Sequence, residues 1–311
     1  MTLVELITAS EGQLTDARVA FGHGTDNAFD EAAWLVLWCL GLPLDTPLEP
    51  LADNPHSKAN LPVAPADIAR VATLLEARVA TRKPAAYLTH EAWLQGIAFY
   101  VDERAIVPRS LVAELLVDGG IDYWLTESTR RVLDLCTGNG SLAVIAALSY
   151  PDVQVIATDV SVDALAVARI NVEKHQLQDR ITLLASDGLS AAQLQSAGPF
   201  DLILCNPPYV NSQSMAILPA EYRAEPAMAL AGGPDGMDFI RTLLSSVHAH
   251  MTPSAVLVLE VGNERAHFEA AFPKLEVVWL QTSAGEDQVL LVGRGALLAQ
   301  SGALKPGRTG A

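Results

Sequence analysis

From Arg131 onward the chain repeats one pattern: a short apolar run, a small loop, then an amphipathic stretch. "RVLDLCTGNG" leads to "SLAVIAALSYP", "VQVIATDV" to "SVDALAVARINVEKHQL", and "ITLLASDG" and "DLILCN" follow. Apolar runs alternating with helical segments predict a mostly parallel sheet covered on both faces, an α/β doubly wound, Rossmann-like layout. "SAVLVLEVG" supplies a fifth strand. "LEVVWLQ" and "DQVLLVG" follow each other with no helix between, which predicts an antiparallel edge.

Upstream the texture differs. "DEAAWLVLWCLGLPL" (30–44) predicts an apolar helix stopped by Gly41 and Pro43, and "APADIARVATLLEARVATRKP" (64–84) an amphipathic one, with Ile68, Val71, Leu74, Leu75 and Val79 three to four apart. "AYLTHEAWLQGIAFYVDERAIVPRS" (86–110) is rich in aromatic and β-branched residues and reads as strands or a hairpin. "SLVAELLVDGGIDYWL" (110–125) reads as a helix, and the small, polar end of the chain as disordered. The chain thus divides into a helical region (1–85), a hairpin linker (86–110), the α/β region (111–298) and a tail (299–311).

Composition bears on partners and setting. The net charge of −16 repels free nucleic acid on average and attracts a basic protein. Three cysteines, odd in number and far apart, argue against a disulfide framework and for a reducing cytosol as the setting. No long apolar run suggests a membrane span, and "MTLVELITASEGQL" lacks the basic start of a signal peptide. No Cys/His cluster has zinc spacing, so no metal is expected.

The candidate site lies along the ends of the predicted strands, where open α/β sheets bind ligands. In "DLCTGNG", Gly138 and Gly140 let backbone approach a ligand, with Cys136, Thr137 and Asn139 between and around them. Only two glycines fit the dinucleotide fingerprint, and Asp134 stands just ahead of them. That acid suits a cationic or hydroxyl-bearing ligand better than a pyrophosphate. Asp159 ends the second strand, where a carboxylate can accept both hydroxyls of a ribose. Asp187 and Gly188 follow the third, near the expected adenine edge. Each feature alone has a bland reading as turn or cap, but the series points to S-adenosylmethionine. The first loop position, filled by Cys136, is expected to need no positive φ.

The fourth strand ends in Asn206, Pro207, Pro208 and Tyr209. Two prolines remove two donors and fix φ twice, a costly exit unless its geometry is the purpose. An amide nitrogen is a poor nucleophile because its lone pair is delocalised into the carbonyl. The Asn206 side-chain oxygen and the Pro207 carbonyl can together accept its two N–H bonds, while Tyr209 lies against the planar group. No strong base is needed, so His23, His90 and His175 read as surface or structural residues.

"NPPY" behind a "DLCTGNG" loop resembles the methyltransferases that modify amide or exocyclic amino nitrogens. "VDERAIVPRS", "EYRAEPAMALAGGPDGMDFIRTLL" and "VLEVGNE" narrow the resemblance to the protein N5-glutamine methyltransferase family, over nearly the whole chain. "FGHGTDNAFDEA", "AYLTHEAWLQGIAFYVDERAIVPRS" and "DLCTGNG" with Cys136 are similar to its PrmB-type branch, which modifies large-subunit ribosomal protein L three (uL3). The resemblance implies a helical substrate-recognition domain, S-adenosylmethionine as cofactor, and a glutamine side chain of that protein, free or in an assembly intermediate, as acceptor. Asn206, Pro207 and Tyr209 are then the catalytic residues, with Pro208 completing the acceptor site. Release factors modified at Gly-Gly-Gln, and adenine in nucleic acid, are the alternatives. DNA methyltransferases would be expected to carry a basic recognition region, which this sequence lacks. The related branch has "PRPETE" where this chain has "PRSLVAEL", so the acid of that run is not transferred to Glu114. "GHGTDN" reads equally as a turn with an N-cap at Asp26 or Asn27 and as a contact to the protein substrate.

Overall fold

The computed structural model describes residues 1–49 and 54–303. Three helices, α1 (Leu3–Asp16), α2 (Ala28–Leu40) and α3 (Pro65–Thr81), pack around a core that includes Leu3, Ile7, Leu35, Leu37, Val71 and Leu75. Asn27, not Asp26, caps α2 by accepting from the Asp30 amide, and Gly41 closes it with φ of 66°. Pro65 starts α3 and Arg82 ends it in the left-handed conformation.

Residues 86–110 depart from expectation. Ala85–Thr89 is a short helix, α4, that buries Ala85, Ala86 and Tyr87, and the Tyr87 hydroxyl is tied to the Ala105 carbonyl at 2.7 Å. Burial of these side chains overrides their strand propensity. Only β1 (Ala92–Leu94) and β2 (Ile97–Phe99) pair, antiparallel, across Gln95 and Gly96. Both turn residues have positive φ (51° and 73°), as a tight hairpin turn requires. The helix predicted over 110–125 is likewise shorter. It runs as α5 (Val112–Val117), stops where Gly119 turns left-handed, and is followed by one 3-10 turn at Asp122–Trp124.

The remaining chain follows the predicted alternation: β3 (Arg131–Leu135), α6 (Ser141–Ser149), β4 (Gln154–Asp159), α7 (Val162–Lys174), β5 (Ile181–Ala185), α8 (Ala192–Ala197) and β6 (Phe200–Cys205). After two short helices, α9 (Ser212–Ile217) and α10 (Ala220–Arg223), come α11 (Asp238–Ser246), β7 (Met251–Glu260), α12 (Arg265–Ala271), β8 (Val278–Thr282), β9 (Gly285–Gly293) and α13 (Arg294–Ala303). The sheet order is β5-β4-β3-β6-β7-β9-β8. Strands β3 to β7 are parallel, and β9 runs antiparallel to both β7 and β8. Apolar side chains fill a core on each face, around Val144 and Val155 on one and Ile203, Leu257 and Phe268 on the other.

The disorder expected over 299–311 is overturned for residues 299–303, which continue α13; Leu297, wholly buried in the sheet's core, anchors that helix. Residues 304–311 lie outside the described residues. Among the described residues no helix is long and apolar enough to cross a membrane, and all three cysteines are free.

The chain order reverses between β3 and β6: β4 and β5 lie to one side, β6 and β7 to the other. A crevice therefore opens at the carboxyl ends of these two strands. "CTGNG" leaves one of them and "NPPY" the other.

Candidate functional site

The glycine loop turns on three positive φ angles: Cys136 at 58°, Gly138 at 56° and Gly140 at 81°. The expectation that Cys136 needs no positive φ is thus wrong. The chain must swing from β3 into α6 within five residues, and a left-handed residue at the first position makes that swing. For a residue with a Cβ this costs roughly 1–2 kcal/mol. A Cβ on Gly140 would press on Ala168 Cβ at 3.1 Å, so this glycine lets the loop settle on α7. One on Gly138 would meet nothing within 4 Å.

The loop is held from beneath. Asp134, fully buried, accepts from the Thr137 hydroxyl. Burial pushes its carboxyl up to about 7, against the pull of the Thr137 hydroxyl and the Ala143 amide. The Thr137 amide donates to the Thr158 carbonyl, and Asn139 Oδ1 accepts from the Ser141 amide. Asp134, Thr137, Asn139 and Gly140 do not line the main cavity. Thr137 and Asn139 instead line a small pocket beside it, with Cys136, Gly138 and Asn206, while Asp134 and Gly140 shape the loop from beneath.

Cys136, Gly138, Asp159, Asp187, Gly188 and Asn206 do line one cavity. Asp159 Oδ2 accepts from the Gly138 amide and Oδ1 from the Ser161 amide, each at 2.9 Å. Burial raises its pKa and these amides oppose the rise. Fixed by backbone on one side, the carboxylate keeps lone pairs for a diol on the other. Gly188 is left-handed, and a Cβ there would touch the Phe239 ring at 3.6 Å. That ring forms part of the cavity wall near Asp187, which is exposed. A carboxylate for hydroxyls, an aromatic wall for a flat ring and open space over Gly138 fit an adenosine-bearing cofactor.

A second cavity adjoins the first. Arg109, Pro207, Tyr209, Leu218 and Tyr222 line it, and Ile106, Asn206 and Ala229 line both. Asn206 therefore stands at the junction. Among the described residues, neither its side chain nor the Pro207 carbonyl has a hydrogen-bond partner, so both acceptors are free. Pro208 belongs to the wall of the first cavity.

Distant segments hold the turn in shape. A Cβ on Gly236 would meet the Tyr209 carbonyl oxygen at 2.1 Å, and one on Gly232 the Pro208 carbonyl oxygen at 2.8 Å. One on Gly262 (φ 52°) would stand 2.4 Å from the Tyr209 ring. The Tyr209 hydroxyl donates to Glu260 Oε1 at 3.1 Å, while Glu260 Oε2 accepts from the Ser110 hydroxyl and Leu111 amide. Burial raises the pKa of Glu260, against the pull of Ser110, Tyr209 and Leu111. The Tyr209 hydroxyl is pushed up too, by burial and then by Glu260.

The second cavity is closed by charge. Arg109 grips both oxygens of Glu225 at 2.7 Å and packs against the Tyr222 ring. Glu225 also accepts from the Val107 amide, and His23 Nε2 stands 3.4 Å from it. Burial opposes ionisation of Glu225, but Arg109 and His23 outweigh it and hold its carboxyl at about 2. Nearby, buried Arg78 joins Glu31 of α2 to Glu221 of α10. "GHGTDN" is thus a turn and N-cap that also lays His23 over Tyr222, ring centroids 4.3 Å apart. His23 is buried beside Tyr222 and Glu225, His175 is tied to the Ala98 carbonyl, and His90 is stacked on Tyr100. Glu114 accepts from the Ser283 amide, away from both cavities.

Sequence reasoning missed Arg109, Glu225, Glu260 and Gly262 as individuals. The segments containing them carried the resemblance, but their partners lie far apart in sequence, and no local spacing signals such pairs.

A family model, the methyltransferase small domain, matches residues 117–221. The chain is 52% identical over 295 residues to the ribosomal protein uL3 glutamine methyltransferase of Bordetella pertussis, covering 94% of this chain and 95% of the relative. It is 50% identical over 306 residues to that of Burkholderia pseudomallei, covering 97% of each. To that of Neisseria meningitidis serogroup A it is 44% identical over 301 residues, covering 96% and 95%. At that identity and coverage, with an α/β sheet whose switch point carries both loops, the chain belongs to the ribosomal protein uL3 glutamine methyltransferase family.

Proposed function

We propose that this protein transfers a methyl group from S-adenosylmethionine to the side-chain amide nitrogen of a glutamine in ribosomal protein uL3. One observation carries the reading: Asn206 lines both the cavity that fits the cofactor and the neighbouring one, with its side chain and the Pro207 carbonyl unpaired. S-adenosylmethionine supplies a methyl carbon on a positively charged sulfur.

Asn206 Oδ1 and the Pro207 carbonyl accept the two N–H bonds of the amide, fixing its nitrogen and favouring a lone pair directed at the methyl. With that cofactor bound, the nitrogen so held would displace sulfur from the methyl carbon, and the proton that nitrogen then sheds would pass to water. Tyr209, its hydroxyl bound to Glu260, is the flat wall against the amide. Asp159 would hold the ribose hydroxyls, Asp187 and Gly188 would border the adenine, and Cys136 and Gly138 the remainder. Thr137 and Asn139, in the small pocket beside Asn206, would border the cofactor as well, and Asp134 and Gly140 would act by shaping the loop.

Residues 1–85 serve substrate recognition, and the acidic chain attracts a basic ribosomal protein in the cytoplasm. Labelled S-adenosylmethionine, offered with unmethylated uL3, release factors and nucleic acid, tests the reading. Label is expected in uL3 glutamine. Label confined to either of the others overturns it.

A further inference from the structure

Asn206 and Pro207 offer two acceptors to whatever enters the second cavity. Acceptors alone recognise any N–H group: an amine or a guanidinium satisfies them as well as an amide. A primary amide is distinguished by its other end, a carbonyl oxygen that needs a donor. Arg109 is the charged donor in that wall, and the Asn206 NH2 group lies at the acceptor end.

Of the five guanidinium N–H groups, three are committed within the chain. One on each η nitrogen goes to Glu225, and the second on Nη1 goes to the Val107 carbonyl at 3.2 Å. The two left, on Nε and Nη2, point in parallel along the other edge of the planar fork. Among the described residues that edge has no partner, and the side chain is 26% exposed although its carboxylate partner is wholly buried.

We propose that this free edge of Arg109 binds the side-chain carbonyl oxygen of the acceptor glutamine, opposite Asn206 and Pro207, so that the cavity reads both ends of a primary amide. The assignment rests on the proposed function above. Glu225 gives the arrangement its electrostatic sense. A bare guanidinium beside a sulfonium would repel it, whereas a guanidinium already paired with a carboxylate donates hydrogen bonds with its charge largely compensated. Glu225 is in turn held by the Val107 amide and by His23.

The bond also has a kinetic signature. Donation to the carbonyl draws the nitrogen lone pair further into the amide, and that delocalisation is lost as nitrogen attacks. The contact is therefore stronger in the ground state than in the transition state. Its removal raises KM without lowering kcat.

Arg109→Lys keeps a cation for Glu225 and removes the parallel edge. The test is a double-mutant cycle with uL3 and with uL3 carrying alanine at the methylated glutamine, a position located by mass spectrometry of the wild-type product. Affinities are measured with S-adenosylhomocysteine bound, so that nothing turns over. Wild type is expected to prefer the glutamine form about tenfold, and Arg109→Lys less than twofold, with KM up about tenfold and kcat within threefold. An unchanged preference overturns the assignment, since a merely structural Arg109 would weaken binding of both uL3 forms alike. If the lysine variant melts early, the neutral pair Arg109→Gln with Glu225→Gln takes its place, with the same outcomes. A wild-type protein that leaves uL3 unmethylated rejects the proposed function and the assignment with it, whereas methylation without coupling rejects the assignment alone.

Discussion

The two loops that meet at the switch point solve the same problem in opposite ways. Both must bring backbone close to a ligand at the end of a parallel strand. The loop after β3 carries its conformational freedom within itself, with positive φ at Cys136, Gly138 and Gly140. The turn after β6 carries none: prolines stiffen it, and the room it needs comes from Gly232, Gly236 and Gly262, all at least 23 residues further on. The first design yields a loop that a short motif can specify. The second yields a turn whose shape depends on the rest of the domain, which suits a group that must hold a reacting atom within a fraction of an ångström.

The largest effect is expected at the residue the two cavities share. On the proposed reading, Asn206→Ala removes one of two acceptors at the amide nitrogen and little of the first cavity's wall. Turnover on uL3 should fall about 10³-fold, the scale set by loss of one preorganised polar group. S-adenosylmethionine affinity by calorimetry should stay within about fivefold, on the same premise. Near-normal turnover would remove the acceptor-pair account.

The contrast between the loops predicts opposite losses for the same small change. Gly262→Ala puts a methyl where the Tyr209 ring lies, at φ of 52°. The ring must move by an ångström or so, and turnover should drop about 10²-fold, with cofactor affinity nearly unchanged. In Gly138→Ala the methyl meets no protein atom and stands beside the first cavity. Cofactor affinity should fall about tenfold, from left-handed strain of about 1–2 kcal/mol and crowding of the ligand, while kcat at saturating cofactor is kept. Parallel losses in both variants would mean that the two loops are not separate devices.

The same asymmetry explains what was legible beforehand. Strand–loop–helix periodicity is local, so the parallel sheet, its antiparallel edge and the glycine loop could be read from Arg131 onward. The two free acceptors after β6 were legible for a similar reason: adjacent prolines leave few conformations. The clamp around them was not. Arg109 with Glu225, Tyr209 with Glu260 and Arg78 with Glu221 span 116, 51 and 143 positions, and each partner alone is an ordinary charged or polar residue. Local propensity also misjudged Ala85–Thr89, where Tyr87 finds its partner 18 residues away. The error at Cys136 has a different origin. Residue type was taken as evidence of φ, whereas a chain that must turn left-handed at a fixed point imposes φ on whatever occupies it.

Cys136 supplies the smallest effect and the one most sensitive in sign. Glycine normally stabilises less than alanine, by roughly 0.5–1 kcal/mol, because the unfolded chain gains freedom. At a left-handed position the order reverses, since alanine retains about 1–2 kcal/mol of strain that glycine lacks. Both substitutions lose the contact of the thiol side chain with the core shared by Cys205, so that loss cancels between them. Cys136→Gly should therefore be more stable than Cys136→Ala by about 1 kcal/mol, a melting difference of about 2–4 °C in a domain of this size. Cys136→Val should be the least stable of the three, because a branched side chain tolerates this conformation worst. Alanine matching or exceeding glycine in urea unfolding would show that the loop relaxes at this position, and that its left-handed turn belongs to the sequence rather than to the fold.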